Sequence, residues 1–139
     1  MKNLFLLPLL FAGFSGFAQC NLDLSLKASK TEYLDSTEVV QRTVDEKSVI
    51  EITQKQVLIT PGNGNTMEGT ITSSTCNWIT PFKEGKSIIK ADFEDESGST
   101  MHTTITLEAK DNKATFTVVI AEMPNRKIRV TLDSVQEKK

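Results

Sequence analysis

The sequence predicts an all-β fold, an antiparallel up-and-down meander of about 8–9 strands that closes into a barrel. Three observations predict it. From residue 37 onward the chain is rich in Thr, Val and Ile and is broken by short polar turns, which is strand vocabulary. The registers that those turns set bring apolar residues opposite one another on a single face. Each connection joins sequence neighbours by a short hairpin, and closure removes the two unpaired edges that such a meander would expose. An open sheet or a β-sandwich is the alternative.

The first segment stands outside this fold. Residues 1–18 are mostly apolar after Lys2, are interrupted by Pro8 and end Gly16-Phe17-Ala18, with small residues where a signal peptidase reads. The run is shorter than the roughly 20 residues of a membrane span, and no later run approaches that length. It reads as a bacterial Sec-type export signal cut after Ala18, leaving a mature chain of 121 residues that begins at Gln19. The destination is then the periplasm or the extracellular space. Lipoprotein processing at Cys20 is a minor alternative, because Phe17 and Gln19 occupy the lipobox positions that want a leucine-like and a small residue. In an oxidising compartment a disulfide between Cys20 and Cys76 is the expected state of the two cysteines.

Residues 19–36 are an N-terminal extension or a first strand. Leu22, Leu24 and Leu26 alternate as a strand does, whereas Ser36 ahead of Val39, Val40 and Val44 fits the start of a short capped helix. The β-domain is assigned to residues 37–133 and a flexible tail to 134–139. Strands are expected near 39–44, 48–53, 56–60, 66–72, 75–80, 87–95, 99–109, 114–122 and 126–133.

Turn chemistry places these strands against one another. Gln54-Lys55 pairs Ile52 with Val57 and Ile50 with Ile59, although neither turn residue favours positive φ. The Pro61–Asn65 loop brings Ile59 to Met67 and Val57 to Gly69. Ser73-Ser74, taken as a turn, pairs Ile71 with Cys76 and lets Trp78 cover Gly69. Glu96-Ser97-Gly98 is a three-residue loop with Gly98 left-handed, which sets Phe93 opposite Met101 and Ala91 opposite Thr103. Asp111-Asn112 pairs Leu107 with Phe116 and Ile105 with Val118. Met123-Pro124-Asn125 pairs Ile120 with Ile128 and Val118 with Val130, and sets Glu122 beside Arg126.

An exported meander of short strands over residues 37–133 resembles the lipocalin-like, or calycin, architecture. The Gly-x-Trp signature of lipocalins is missing, since Trp78 lies mid-chain after Cys76-Asn77. The resemblance implies a barrel able to hold a small apolar ligand, and it transfers no family residue to this chain.

Several chemistries are set aside. A net charge of −2 lacks the basic field that nucleic-acid tracking needs, and the basic spots at Lys83, Lys86 and Lys90 and at Arg126, Lys127 and Arg129 are modest. Two cysteines exclude a four-cysteine zinc site, and the single histidine, His102, excludes a histidine cluster. His102 falls opposite Asp92 with Thr104 nearby. That arrangement reads as a polar pair on a solvated face rather than part of a nucleophilic site. Asp92, Glu94 and Glu96 read as a charged hairpin tip rather than a calcium site. Gly62-Asn63-Gly64 lacks the lysine of a phosphate loop. No cofactor, metal or catalytic residue is assigned.

The apolar set carries the functional expectation. Trp78, Phe93, Met101, Ile105 and Phe116 face inward in these registers and are the candidate ligand-binding residues. Four of the seven phenylalanines leave with the export signal, so a thin core remains. The expected function is a non-enzymatic, monomeric, exported lipocalin-like binder of a small apolar molecule. The alternative is a protein-interaction module of inhibitor or immunity type, acting through its loops and an exposed sheet face. A small-molecule binder should enclose an apolar pocket of roughly 300 Å³ or more near Trp78 and Phe93. A protein-binding module should have a filled interior and an exposed apolar patch.

Overall fold

The computed structural model describes residues 23–62 and 64–138. Residues 1–18, read as an export signal, the Gln19 terminus expected from it, and Cys20 lie outside the described residues. The strands are β1 (Leu24–Leu34), β2 (Val40–Ile52), β3 (Gln56–Thr60), β4 (Met67–Thr80), β5 (Glu84–Glu94), β6 (Thr100–Lys110), β7 (Lys113–Ile120) and β8 (Lys127–Glu137). Each pairs antiparallel with its neighbours in sequence, and β1 pairs with β8, so the sheet is a closed eight-stranded barrel. There is no helix among the described residues.

The core is the inner face that the alternation demands. Leu24 and Leu26 of β1, Ile50 and Ile52 of β2, Ile89, Ala91 and Phe93 of β5, Ile105 and Leu107 of β6, and Phe116 and Val118 of β7 are all buried together. The central registers are those set by the turns: Leu107 opposite Phe116, Ile105 opposite Val118, Phe93 opposite Met101. Asp111 and Asn112 both take positive φ (54° and 65°), as a tight two-residue hairpin requires. Gly98, at φ 85°, closes the β5–β6 loop, whose Asp95 carboxylate accepts hydrogen bonds from Ser97 N, Ser97 Oγ and Ser99 N. The β2–β3 turn solves its lack of a glycine differently. Thr53 Oγ1 accepts from Lys55 N and Gln56 N, so the side chain stands in for the positive-φ geometry.

Four differences from the sequence reading have physical causes. The strands expected at 66–72 and 75–80 are one strand, β4, Met67–Thr80. Ser73-Ser74 has no residue suited to a tight turn, and the chain instead makes a β-bulge between Ile71 and Ser73 that bends the long strand around the barrel. Trp78 therefore stands opposite Gly85, and it is the Phe93 ring that covers Gly69.

The strands expected at 39–44 and 48–53 are likewise the single strand β2, Val40–Ile52, and no helix starts at Ser36. The Asp35 carboxylate accepts from Thr37 N, Thr37 Oγ1 and Val39 N, and Glu38 adopts φ 66°, which makes a hairpin loop. Those bonds, led by Val39 N, hold the Asp35 carboxyl below its ordinary value.

The barrel also extends beyond residues 37–133 at both ends. Leu24 pairs with both Ile52 and Glu137, so β1 completes the wall and carries β8 through residues read as a tail.

Finally, the last hairpin is slipped by two residues: Phe116 meets Val130 and Val118 meets Ile128. Ala121 N continues the ladder onto His102 O, and two successive turns follow, Met123 N to Ile120 O and Arg126 N to Met123 O. The loop is thereby longer than Met123-Pro124-Asn125. A slip of two keeps every side chain on its own face, so the core is unchanged.

Candidate functional site

The two ends of the barrel differ. At one end the β2–β3, β4–β5 and β6–β7 turns surround an interior plugged by aromatic and aliphatic side chains. Trp78 is buried there and packs edge-on against Phe82, ring centroids 5.3 Å apart. Its indole Nε1 donates to the buried Ser87 hydroxyl at 2.9 Å, and that oxygen lies 3.3 Å from Cys76 Sγ. Gly85 is required at this point: its φ is 137°, and a Cβ would come within 2.6 Å of Trp78 Cα.

At the other end, beneath the β1–β2, β3–β4, β5–β6 and β7–β8 loops, the interior is not filled. An open-ended cavity of about 140 Å³ has an almost wholly apolar wall. Phe93, Met101, Phe116, Val118, Ile120 and Ile128 form much of that wall, with Met67 and Pro61 at the rim. Its polar members are Thr31, Ser48 and Thr103, together with the half-buried Tyr33 and Glu46. Thr103 is already satisfied, its Oγ1 donating to Ala91 O at 2.8 Å.

Of the five candidate ligand-binding residues, the structure places Phe93, Met101 and Phe116 around this cavity. Trp78 sits in the plug at the closed end, because β4 is continuous and carries it away from Gly69. Ile105 is fully buried and does not line the cavity. The cavity is also smaller than the roughly 300 Å³ expected of a drug-sized site. The rest of the interior is the buried core cluster, to which Phe93 and Phe116 also belong.

A wider, open groove of about 580 Å³ lies at the mouth and shares Tyr33, Ile120 and Ile128 with the cavity. Arg42, Arg126 and Lys127 line it, together with Asp35 and Gln41. Arg42 stacks on the Tyr33 ring at 4.4 Å from its centroid. Lys127 pairs with Glu38 at 3.1 Å, while among the described residues neither Arg42 nor Arg126 is in an ion pair. Sequence reasoning missed Tyr33 and Arg42 because it left residues 21–47 without a register. The alternation of Thr31 with Tyr33, on the far side of a bulge from Leu24 and Leu26, was the available signal.

His102 and Asp92 are register partners, as the β5–β6 turn implied. The His102 ring bonds elsewhere, with Nδ1 2.6 Å from Glu122 Oε2 while His102 N donates to Glu122 Oε1. Glu122 is therefore beside His102 and not beside Arg126, because the slipped hairpin turns it toward β6. The Glu122 hydrogen bond, with the Glu122 and Asp92 charges behind it, raises the His102 pKa, and the pair is exposed on the outer surface. Among the described residues no group of His, Cys, Asp or Glu is arranged to hold a metal ion. The described residues contain no free cysteine.

Comparison with protein-family models, with curated proteins and with solved structures finds no match.

Proposed function

We propose that this protein is an exported, non-catalytic binding protein that takes a small apolar group into the open end of its barrel. One observation carries the reading. The interior is packed at one end and left open at the other, where Phe93, Met101 and Phe116 bound an apolar cavity. Native interiors leave few voids of this size, and a dry apolar cavity of about 150 Å³ is enough to admit a benzene-sized guest. The guest is thus a single ring or a short alkyl segment, not a bulky polycycle.

Export and a Cys20–Cys76 disulfide belong to the same proposal. The first strand starts at the closed end of the barrel, where Cys76 also lies, and Asp23 O is held there by Lys138 N at 2.7 Å. Two residues, Asn21 and Leu22, separate Cys20 from Asp23, and the three Cα–Cα steps give a reach of roughly 10 Å. A protein-interaction module remains the second reading, favoured by the exposure of Val39, Val40 and Met67 near the open end.

Thermal unfolding in the presence of toluene tests the first reading. A saturable rise in Tm is expected, because a guest that binds only the folded state stabilises it by mass action. Met101→Trp, which fills the cavity from a half-buried position, should abolish the rise. No rise in the parent protein, or an equal rise in the variant, would refute the reading.

A further inference from the structure

Given that reading, we propose that the ligand is an anionic amphiphile that enters apolar end first, its small apolar end in the cavity and its negative headgroup at Arg42 and Arg126. The inference rests on the apolar-ligand reading and adds the headgroup, its charge and the direction of binding.

Adjacency comes first: cavity and groove share Tyr33, Ile120 and Ile128, which sets the groove's cations beside the open end of the cavity. The groove holds three cations in a chain whose net charge is −2. Their local compensation is incomplete. Lys127 has Glu38, but Arg42 only stacks on Tyr33, and Arg126 has no carboxylate within ion-pair distance among the described residues. Asp35, among the described residues the one acid lining the groove, is occupied by its own loop and by Gln41 Nε2 at 3.2 Å.

The direction follows from desolvation. An anion pushed into the apolar cavity would lose its hydration without a partner, which is far costlier than leaving it among solvated guanidinium groups. Glu46, half-buried on the cavity wall, would also repel a headgroup that travelled deeper. Arginine favours the outer position, since its planar fork bonds a carboxylate or a sulfonate through paired N–H groups.

The experiment titrates full-length protein with octanoate and with 1-octanol, read by NMR shifts of the Ile120 and Ile128 methyl groups. Octanoate should bind more tightly than octanol by about tenfold, the scale of one good charge-assisted contact. Arg42→Gln combined with Arg126→Gln should lower octanoate to the level of octanol and leave octanol unchanged. Both cations are at the solvent-open mouth and away from the packed core, so this variant keeps the fold. Octanol binding as tightly as octanoate, with Met101→Trp eliminating both, would overturn the headgroup assignment and leave the apolar cavity standing. An octanoate preference that survives in the double variant also overturns it. Failure of both probes to shift either methyl would sink the cavity reading and the inference together.

Discussion

Replacing Gly69 with alanine probes the contact that distinguishes this barrel from the arrangement its turns suggest. A Cβ at Gly69 would lie 2.5 Å from Phe93 Cζ and 2.6 and 2.8 Å from the two Cε atoms. Carbon atoms pack comfortably at about 3.5–4.0 Å, so the ring has to retreat by roughly 1 Å. Phe93 is 5% exposed and lines the cavity, so the retreat goes into the cavity. Overpacking of this kind costs about 1–3 kcal/mol. Gly69 is not among the positive-φ residues, so alanine adds no backbone strain and recovers about 0.4–1 kcal/mol by restricting the unfolded chain. The expected net loss is centred on about 1.3 kcal/mol within a range of about 0–2.6. Urea unfolding followed by Trp78 fluorescence measures it as a lowered midpoint at unchanged slope. A double-mutant cycle with Phe93→Leu should show a coupling of about 1 kcal/mol or more, because the smaller side chain makes room for the methyl. A stabilising Gly69→Ala, or coupling to Trp78→Phe in place of Phe93→Leu, would refute the register.

Other consequences are checked more simply. Ser87→Ala leaves the buried Trp78 Nε1–H without its 2.9 Å acceptor and should cost about 1–3 kcal/mol by the same urea assay. Glu122 raises the His102 pKa above its ordinary 6.5, and His102 holds the Glu122 carboxyl below its ordinary 4.5. The His contribution is full below 6.5 and fades as pH rises through the raised value. The Glu contribution is full above 4.5 and fades as pH falls through the lowered one, so the contact is strongest between these ordinary values. An NMR titration of the imidazole should return toward 6.5 in Glu122→Gln, and an unmoved midpoint would show that the contact is absent in solution. Mass spectrometry of the secreted protein should find a chain that begins at Gln19 and resists alkylation until reduced. An acylated Cys20 at the N-terminus would contradict soluble export.

Much of the barrel was legible because its decisive signals are local. Asp111-Asn112 tolerates positive φ at both positions, and Gly98 at one, so two hairpins follow from residue type alone, and with them Leu107 opposite Phe116 and Phe93 opposite Met101. Where the local signal was weak the reading failed. Ser73-Ser74 looks polar enough for a turn, yet the chain bulges there and runs on to Thr80. The slip in the last hairpin was hidden for a different reason: Ala121 and Glu122 are claimed by His102 on β6, a strand that turn chemistry between β7 and β8 does not involve. The cavity was partly legible through Phe93, Met101 and Phe116, while its basic mouth depended on β1 and β2, whose register no turn residue announced.

By itself the sequence determined the period-two alternation, the Asp111-Asn112 and Gly98 turns and hence which side chains of the strands they join face inward, since each depends only on near neighbours in the chain. Closure into a barrel was foreseeable from the hairpin meander, but only the tertiary structure decided which eight strands form it, that Trp78 plugs one end and that the other stays open. Closure requires Leu24 to find both Ile52 and Glu137, pairings of residues 28 and 113 positions away. Bulges, tilt and stagger must agree around the whole ring before either end can be filled.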